Sequence, residues 1–175
     1  TDNYQMEEDW IELYNTGSTE EDIGGYFLSD DPDEPAKWMI PGGTVIPADG
    51  YLVFWCSGRD EYSDNNYHTN FKLKQTKNNP EHIVLSNPDG MIINNIEMQK
   101  TQLEHSMGRD PVDSESWRIY IRPTKGEENS ESNYIAYAES ATMNLEAGYY
   151  YGSIDLEITT NEPNSTIHYT TNGNV

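Results

Sequence analysis

The sequence predicts an all-β fold, a sandwich or a barrel built from short strands. Apolar residues recur at every second position in most segments, which is the spacing of a strand with one buried face. Turns rich in glycine and proline separate these segments at intervals of ~8–12 residues, as is typical of sandwiches and barrels. No long segment has apolar residues at helical spacing.

The clearest region is KWMIPGGTVIPADGYLVFWCSG, residues 37–58. It predicts strands over residues 37–40, 44–46 and 51–56, separated by Pro-Gly-Gly and Pro-Ala-Asp-Gly. Glycine accepts positive φ without steric cost and proline presets the first turn position, so both breaks are turn sequences.

Other strands follow from the same alternation. In DWIELYN, residues 9–15, Ile11 and Leu13 share one face, and Trp10, Glu12 and Tyr14 share the other. HIVLSNPDGMIINNI predicts a hairpin with its turn at residues 86–90. Residues 30–35 and 59–70 are polar and predict loops, and the remaining strands are expected at residues 25–29, 70–75 and 116–121.

A strand pattern restarts near the C-terminus, with strands expected at residues 153–159 and 166–171. A lone hairpin is marginally stable in water, so this segment is interpreted as the start of a second β domain. The predicted organisation is a β-sandwich over residues 1–132, a linker over 133–148, and a truncated second β domain or hairpin over 149–175.

The charge is strongly acidic, with a net value of −21 from 31 acidic and 10 basic residues. Residues 1–64 hold 16 acids and 2 bases, and residues 126–175 hold 8 acids and no base. Such a field repels phosphate backbones, so we expect no nucleic-acid partner. No apolar run approaches the ~20 residues of a membrane-spanning helix.

No catalytic set is apparent. Cys56 lies in the apolar run YLVFWC and is expected to be a buried small hydrophobe without a basic partner. His68 belongs to no metal or catalytic spacing and is expected to order its own loop. Ser106, in HSMG, lacks the flanking glycines of a nucleophile elbow.

Calcium is the one cofactor that the composition suggests. Calcium takes six to eight oxygen ligands from flexible loops. The candidate ligands are Asp30, Asp31, Asp33 and Glu34, with a second group at Asp60, Asp64 and Asn66. The run lacks the central glycine and distal glutamate of an EF-hand, so a solvated loop is the alternative interpretation.

Aromatic side chains offer two interpretations. They either cover the sandwich core or form a platform on which sugars or peptides stack. The residues concerned are Trp10, Tyr14, Tyr26, Trp38, Trp55 and Trp117.

The order of several motifs resembles the lamin-tail domain, in its bacterial, exported branch, over about residues 9–129. The motifs are DWIELYN, GGYFLSDDPDEPAKWMIPGGTVIPADGYLVFWCSG, HTNFKL, EHIVLSNPDGMII, HSMGR and PTKGEEN. The resemblance implies an immunoglobulin-like β-sandwich. It also implies framework roles for Trp10, Glu12, Leu13, Asn15 and the loop at residues 68–71.

Two departures from that family bear on partners. The family opens with a strand of the type INEI, whereas Thr1–Asp9 is interpreted as a polar lead-in, which would expose a sheet edge to strand addition or an edge-strand dimer. The segment YYYGSIDLEITTNEPNSTIHYTTNGNV resembles the start of a chitobiase C-terminal-type β domain. The combination is similar to the N-terminal part of proteins with a CotH-type (spore-coat-type) kinase domain.

The sequence therefore predicts a non-catalytic recognition or structural module of an exported or cell-surface bacterial protein, with a protein or glycan partner. The alternatives are an accessory domain of a secreted CotH-type kinase or hydrolase, and a calcium-dependent adhesion module. Whether the parent protein is an enzyme is left open.

Overall fold

The computed structural model describes residues 1–75, 80–130 and 133–173, and within them it contains strands and no helix. The strands are β1 (Trp10–Tyr14), β2 (Glu21–Asp22), β3 (Phe27–Ser29), β4 (Trp38–Met39), β5 (Val45–Ile46), β6 (Tyr51–Trp55), β7 (Glu61–Ser63), β8 (Asn66–His68), β9 (His82–Ser86), β10 (Ile92–Glu97), β11 (Ser106–Arg109), β12 (Trp117–Tyr120), β13 (Thr142–Met143) and β14 (Ile158–Thr159).

The chain divides into two compact units, Thr1–Tyr134 and Ile135–Val175. The first unit contains two four-stranded sheets. In the first sheet the strand order is β1–β6–β8–β7, and in the second sheet it is β10–β9–β3–β4. The first unit also contains the two-stranded pairs β2–β5 and β11–β12. The predicted all-β sandwich is confirmed.

The core lies between the two sheets. Ile11 and Phe54 come from the first sheet, and Leu28 comes from the second. Trp38 of the second sheet meets Phe54 edge-on, with ring centroids 6.0 Å apart. These side chains occupy alternate strand positions, which is why the period-two pattern identified the buried face. Cys56 is buried in the same core, as expected.

One predicted loop is a hairpin. Within residues 59–70, strands β7 and β8 pair antiparallel, and β8 also pairs in parallel with β6. Asp64 and Asn65 connect the two strands with φ of 50° and 60°. Two positive φ values in a two-residue loop are the mark of a type I′ turn, which asparagine and aspartate tolerate better than most residues. The expectation of an open polar loop was wrong here.

The predicted strands also differ from the structure at residues 71–75 and at β11. Residues 71–75 form no strand, although Phe71 and Leu73 are buried as the alternation indicated. Burial every second residue therefore occurs here without a ladder of hydrogen bonds. Conversely, β11 pairs with β12 along all four of its residues, although the sequence analysis predicted no strand at residues 106–109.

The second unit is also β-structured, with a strand pairing that differs from the expected hairpin. β14 pairs with β13, which lies inside the predicted linker. Residues 166–171 are not in a strand, and the last two residues of the predicted second domain lie outside the described ones. Thr142 and Thr159 stand opposite each other, with their hydroxyl oxygens 2.9 Å apart.

Within the ranges that the structure describes, no helix is long and apolar enough to cross a membrane.

Candidate functional site

The candidate site is the outer face of the first sheet, which is turned away from the core. This face carries polar and aromatic side chains that form hydrogen bonds, ion pairs and ring contacts. Trp10 stands opposite Trp55, Glu12 opposite Val53, and Tyr14 opposite Tyr51. Residues directly opposite in a sheet project from the same face. His68 stands beside Trp55, so it belongs to the outer face as well.

One end of this face is covered by the N-terminal residues 2–9, which we call the N-terminal cover. The Asp2 carboxylate accepts hydrogen bonds from the backbone N–H groups of Tyr4 and Met6, both at 2.9 Å. Its other oxygen lies 2.6 Å from the Arg59 guanidinium. The Asp9 carbonyl accepts a hydrogen bond from the Cys56 N–H at 2.8 Å, which joins the cover to the end of β6.

Arg59 connects the cover to the sheet. Its guanidinium lies 4.6 Å from the centroid of the Tyr4 ring and 3.6 Å from the Glu8 carboxylate. Lys72 contacts the other Glu8 oxygen at 3.0 Å. Burial pushes the Asp2 pKa upward, but the hydrogen bonds from Met6, Arg59 and Tyr4 outweigh it, so the pKa of Asp2 is lowered. Asp2 is therefore held as a buried carboxylate.

His68 is fully buried beneath this cover. Its Nε2 lies 2.8 Å from the Asn3 side-chain oxygen, and its Nδ1 lies 2.9 Å from the Ser57 hydroxyl. Since Asn3 accepts through oxygen, Nε2 carries the proton and Nδ1 accepts from Ser57. Burial first, and then the nearby Arg59 charge, lower the pKa of His68. The imidazole is therefore neutral and fully hydrogen-bonded.

Ser57, His68 and Asn3 have the residue types of a nucleophile, a base and an orienting group. Their arrangement does not suit catalysis, because Ser57 is 5% exposed and His68 is 0% exposed. A nucleophile must contact its substrate directly. The hydrogen bonds among these three side chains instead satisfy their buried polar groups. Such groups would destabilise the fold if they had no partner. His68 was expected to order its own loop, but its hydrogen bonds join the N-terminal cover at Asn3 and the end of β6 at Ser57.

The middle of the face holds a lysine above two tryptophans. The Lys125 ammonium lies 4.0 Å from the Trp55 ring centroid and 5.7 Å from that of Trp10. The next residue, Gly126, donates its backbone N–H to a Glu12 carboxylate oxygen at 2.5 Å. The loop that carries Lys125 is thereby fixed across β1 and β6.

Burial shifts both charges of this middle part. It raises the pKa of Glu12 against the opposing effects of the Gly126 N–H and Lys125. It also lowers the pKa of Lys125 against the opposing effect of Glu12. Both shifts have the same main cause, which is the partial burial of the two charged groups against the sheet.

The other end of the face is open to solvent. Tyr14 and Tyr51 stack with ring centroids 4.5 Å apart and an interplanar angle of 13°. Tyr14 is 45% exposed and its hydroxyl donates to the Asp49 carboxylate. That hydrogen bond is the main cause that raises the pKa of Tyr14 to about 12. The end presents an aromatic surface bordered by acidic groups.

The six aromatic candidates do not form one platform. Trp38 and Trp55 are buried, and Tyr26 packs against the core. Trp10 and Tyr14 lie on the outer face of the first sheet. Trp117 is in the hairpin β11–β12, where the Arg109 guanidinium lies 5.0 Å from its ring centroid.

The calcium candidates lie in the loop between β3 and β4. Asp30 pairs with Lys37 at 2.6 Å, and the Asp31 carboxylate accepts the Asp33 N–H at 2.9 Å. Asp60, from the second group, accepts a hydrogen bond from the Trp38 indole at 2.9 Å. Asp64 lies in the turn between β7 and β8, where its carbonyl accepts from the Asn66 amide. Calcium binding at these loops stays a prediction.

In the described part of the chain, no group of three or more His, Cys, Asp or Glu side chains is arranged to hold a metal ion.

The residues that sequence reasoning missed lie mainly in the N-terminal cover. Thr1–Asp9 was interpreted as a polar lead-in, yet Asp2 and Asn3 make specific contacts with the sheet. An aspartate whose side chain accepts the N–H two residues later is an Asx-turn, and this signal was present in the Asp-Asn-Tyr sequence. Its long-range partner Arg59 had no signal in sequence.

Comparison with known proteins supports one assignment. No curated protein and no solved structure matches the chain. The family model described as the Lamin Tail Domain matches residues 1–100, which include the N-terminal cover and strands β1 to β10. The chain belongs to the Lamin Tail Domain family.

Proposed function

We propose that this chain is a non-catalytic recognition module of an exported, surface-associated bacterial multidomain protein, with a protein as its partner. The observation that carries the proposal is the burial of Ser57 and His68 under the N-terminal cover. The residue set that most resembles a catalytic one is thus committed to holding the fold together. The export part rests on the resemblance to the bacterial, exported branch of the family.

The surface of the first sheet favours recognition of a protein. Its outer face combines the exposed ring of Tyr14 and the half-buried ring of Tyr51 with carboxylates at Glu12 and Asp49. Tyrosines are enriched in interfaces because they bury a large area and keep one polar group. The acidic surroundings favour a partner with basic residues, since complementary charge steers association.

The test is an activity screen of the chain beside the variant His68→Gln. Phosphate transfer from ATP with Mg²⁺ or Mn²⁺ and hydrolysis of glycosides and esters would be followed for both proteins. We expect neither protein to exceed the rate of the buffer blank. Turnover by the chain that is lost in His68→Gln, in a variant that retains the native circular dichroism spectrum, would overturn the proposal.

The proposed export to the cell surface is tested separately. Antibody raised against the chain should label intact cells of the source bacterium, and protease added outside those cells should remove the label. Labelling that appears only after lysis would contradict the proposed export.

A further inference from the structure

The outer edge of β1 is one edge of the first sheet. β1 is the first strand in the order of its sheet and pairs with β6 alone among the described residues. The Asn15 N–H donates to the Gly50 carbonyl, and the Cys56 N–H donates to the Asp9 carbonyl. In an antiparallel ladder these groups alternate along the strand, so the odd-numbered residues of β1 bond to β6.

The even-numbered residues of β1 consequently point their backbone groups away from the sheet. These are Trp10, Glu12 and Tyr14, and in the described part of the chain no backbone hydrogen bond joins them to another strand. Three consecutive N–H and C=O pairs at an edge are a template on which an extended segment forms hydrogen bonds.

The remaining edges of the two main sheets are less suited to a partner strand. β4 has two residues and β7 has three. β10 is longer, but its register with β9 shifts between Ile92 and Asn94, which marks a bulge. Short strands and bulges protect edges from pairing. β1 has neither, because all five of its residues are in continuous register with β6.

The charge around β1 selects the partner. Glu7 and Asp9 lie just before β1 and Glu12 lies within it, whereas Glu8 is already paired with Arg59 and Lys72. Two copies of β1 that paired about Glu12 would place one Glu12 opposite the other, which is destabilising. A lysine or arginine opposite Glu12 would instead be attracted to its carboxylate.

From these observations we infer that the outer edge of β1 binds an extended protein segment that places a lysine or arginine opposite Glu12. The segment adds a strand to the first sheet through the backbone groups of Trp10, Glu12 and Tyr14. The inference rests on the proposed recognition function and names its surface and the class of partner.

The probe is a blocked seven-residue peptide with lysine at its fourth position, valine at the third and fifth, and threonine at the second and sixth. Pairing antiparallel about Glu12, it directs the amides of its second, fourth and sixth residues at β1. One N-methylated version blocks the amides at positions four and six. A matched control blocks those at positions three and five, which face away from β1.

Binding is followed by the NMR shifts of the β1 amides with up to millimolar peptide. We expect the Trp10, Glu12 and Tyr14 amides to shift, and the peptide with glutamate at the fourth position to bind about tenfold more weakly. Methylation at positions four and six should abolish the shifts, whereas methylation at positions three and five should preserve them.

Three results would overturn the inference. The first is equal binding by the two methylated peptides, and the second is the absence of any shift of the Trp10, Glu12 and Tyr14 amides. The third is concentration-dependent dimerisation of the chain alone, in which the same three amides become protected. None of these results bears on the activity screen with His68→Gln, so failure at the edge is distinguishable from failure of the non-catalytic assignment.

Discussion

The two ends of the outer face of the first sheet use similar residue types for opposite purposes. At the His68 end, polar side chains are buried and paired under the N-terminal cover. At the Tyr14 end, the stacked tyrosines and Asp49 remain in contact with solvent. The difference arises from the N-terminal cover, which lies over His68, at the end of β8 beside β6, whereas Tyr14 and Tyr51 lie at the uncovered ends of β1 and β6.

Within one sheet, the end that lies under the N-terminal cover contributes to stability, and the end that is not covered remains available for recognition. Buried hydrogen bonds act in a low dielectric and are expensive to leave unmade, so the His68 end supports the fold. Exposed pairs contribute little to stability because water competes for them. The Tyr14 end is therefore free to change its partners without a cost to the fold.

The largest difference between the ends should appear in stability. His68→Ala leaves Ser57 and Asn3 without their buried partner and creates a cavity, and it should lower the free energy of unfolding by about 3 kcal/mol. Urea denaturation followed by tryptophan fluorescence measures this change. Tyr14→Phe, at the exposed end, is the control and should leave the denaturation midpoint unchanged. Equal losses in the two variants would remove the distinction between the ends.

Acid should weaken the contribution of the covered end to stability. The pKa of His68 in the folded chain lies below its unfolded value near 6.5, so its contribution to stability is complete above that value. The contribution is lost as the pH falls below 6.5, because the unfolded chain takes up the proton more readily. The urea midpoint should therefore fall between about pH 7.5 and pH 5.5.

His68→Gln separates this effect from the titration of other groups. Glutamine keeps a donor and an acceptor but does not titrate, so the variant should show a smaller fall of the midpoint over the same range. A fall as large as that of the original chain would assign the pH dependence to groups other than His68.

These contacts also show which parts of the site the sequence predicts. Alternation placed Ile11 and Leu13 on one face of β1 and Trp10, Glu12 and Tyr14 on the other, and the ladder agrees. It also predicted the hairpin of β9 and β10, because a turn sequence separates two apolar runs. Local spacing and turn chemistry were sufficient for both.

Other parts depend on contacts between distant residues. Arg59 reaches Asp2 across 57 positions of the chain, and Gly126 reaches Glu12 across 114. No local pattern encodes such pairs, so the N-terminal cover was interpreted as a lead-in. The parallel pairing of β8 with β6 was missed for a different reason: residues 59–70 were interpreted as a polar loop, although Asp64 and Asn65 form the turn that brings β8 beside β7.

A smaller effect is expected in the middle of the face. Lys125→Met removes the cation above Trp55 and should lower the free energy of unfolding by about 0.5–1 kcal/mol. Lys125→Arg is the matched control, because a guanidinium also stacks on an indole. Urea denaturation of the two variants measures the difference. If the methionine variant is as stable as the arginine variant, the contact is incidental.

The smallest effect is expected from calcium. Lys37 already neutralises Asp30, and Asp31 is used within its own turn, so the loop between β3 and β4 offers few free oxygen ligands. The melting temperature should agree to within about 1 °C between a chelator and millimolar calcium, since a bound ion would raise it. A larger rise in calcium that is lost in Asp33→Asn would instead support the metal site.

Amide hydrogen exchange of the free chain measures, residue by residue, whether the outer edge of β1 is open. The amides of Ile11 and Leu13 bond to β6 and should exchange slowly, whereas those of Trp10, Glu12 and Tyr14 should exchange rapidly. Alternating protection along β1 is the predicted result. Slow exchange at all five residues would show that another strand already occupies the edge, and it would contradict the account.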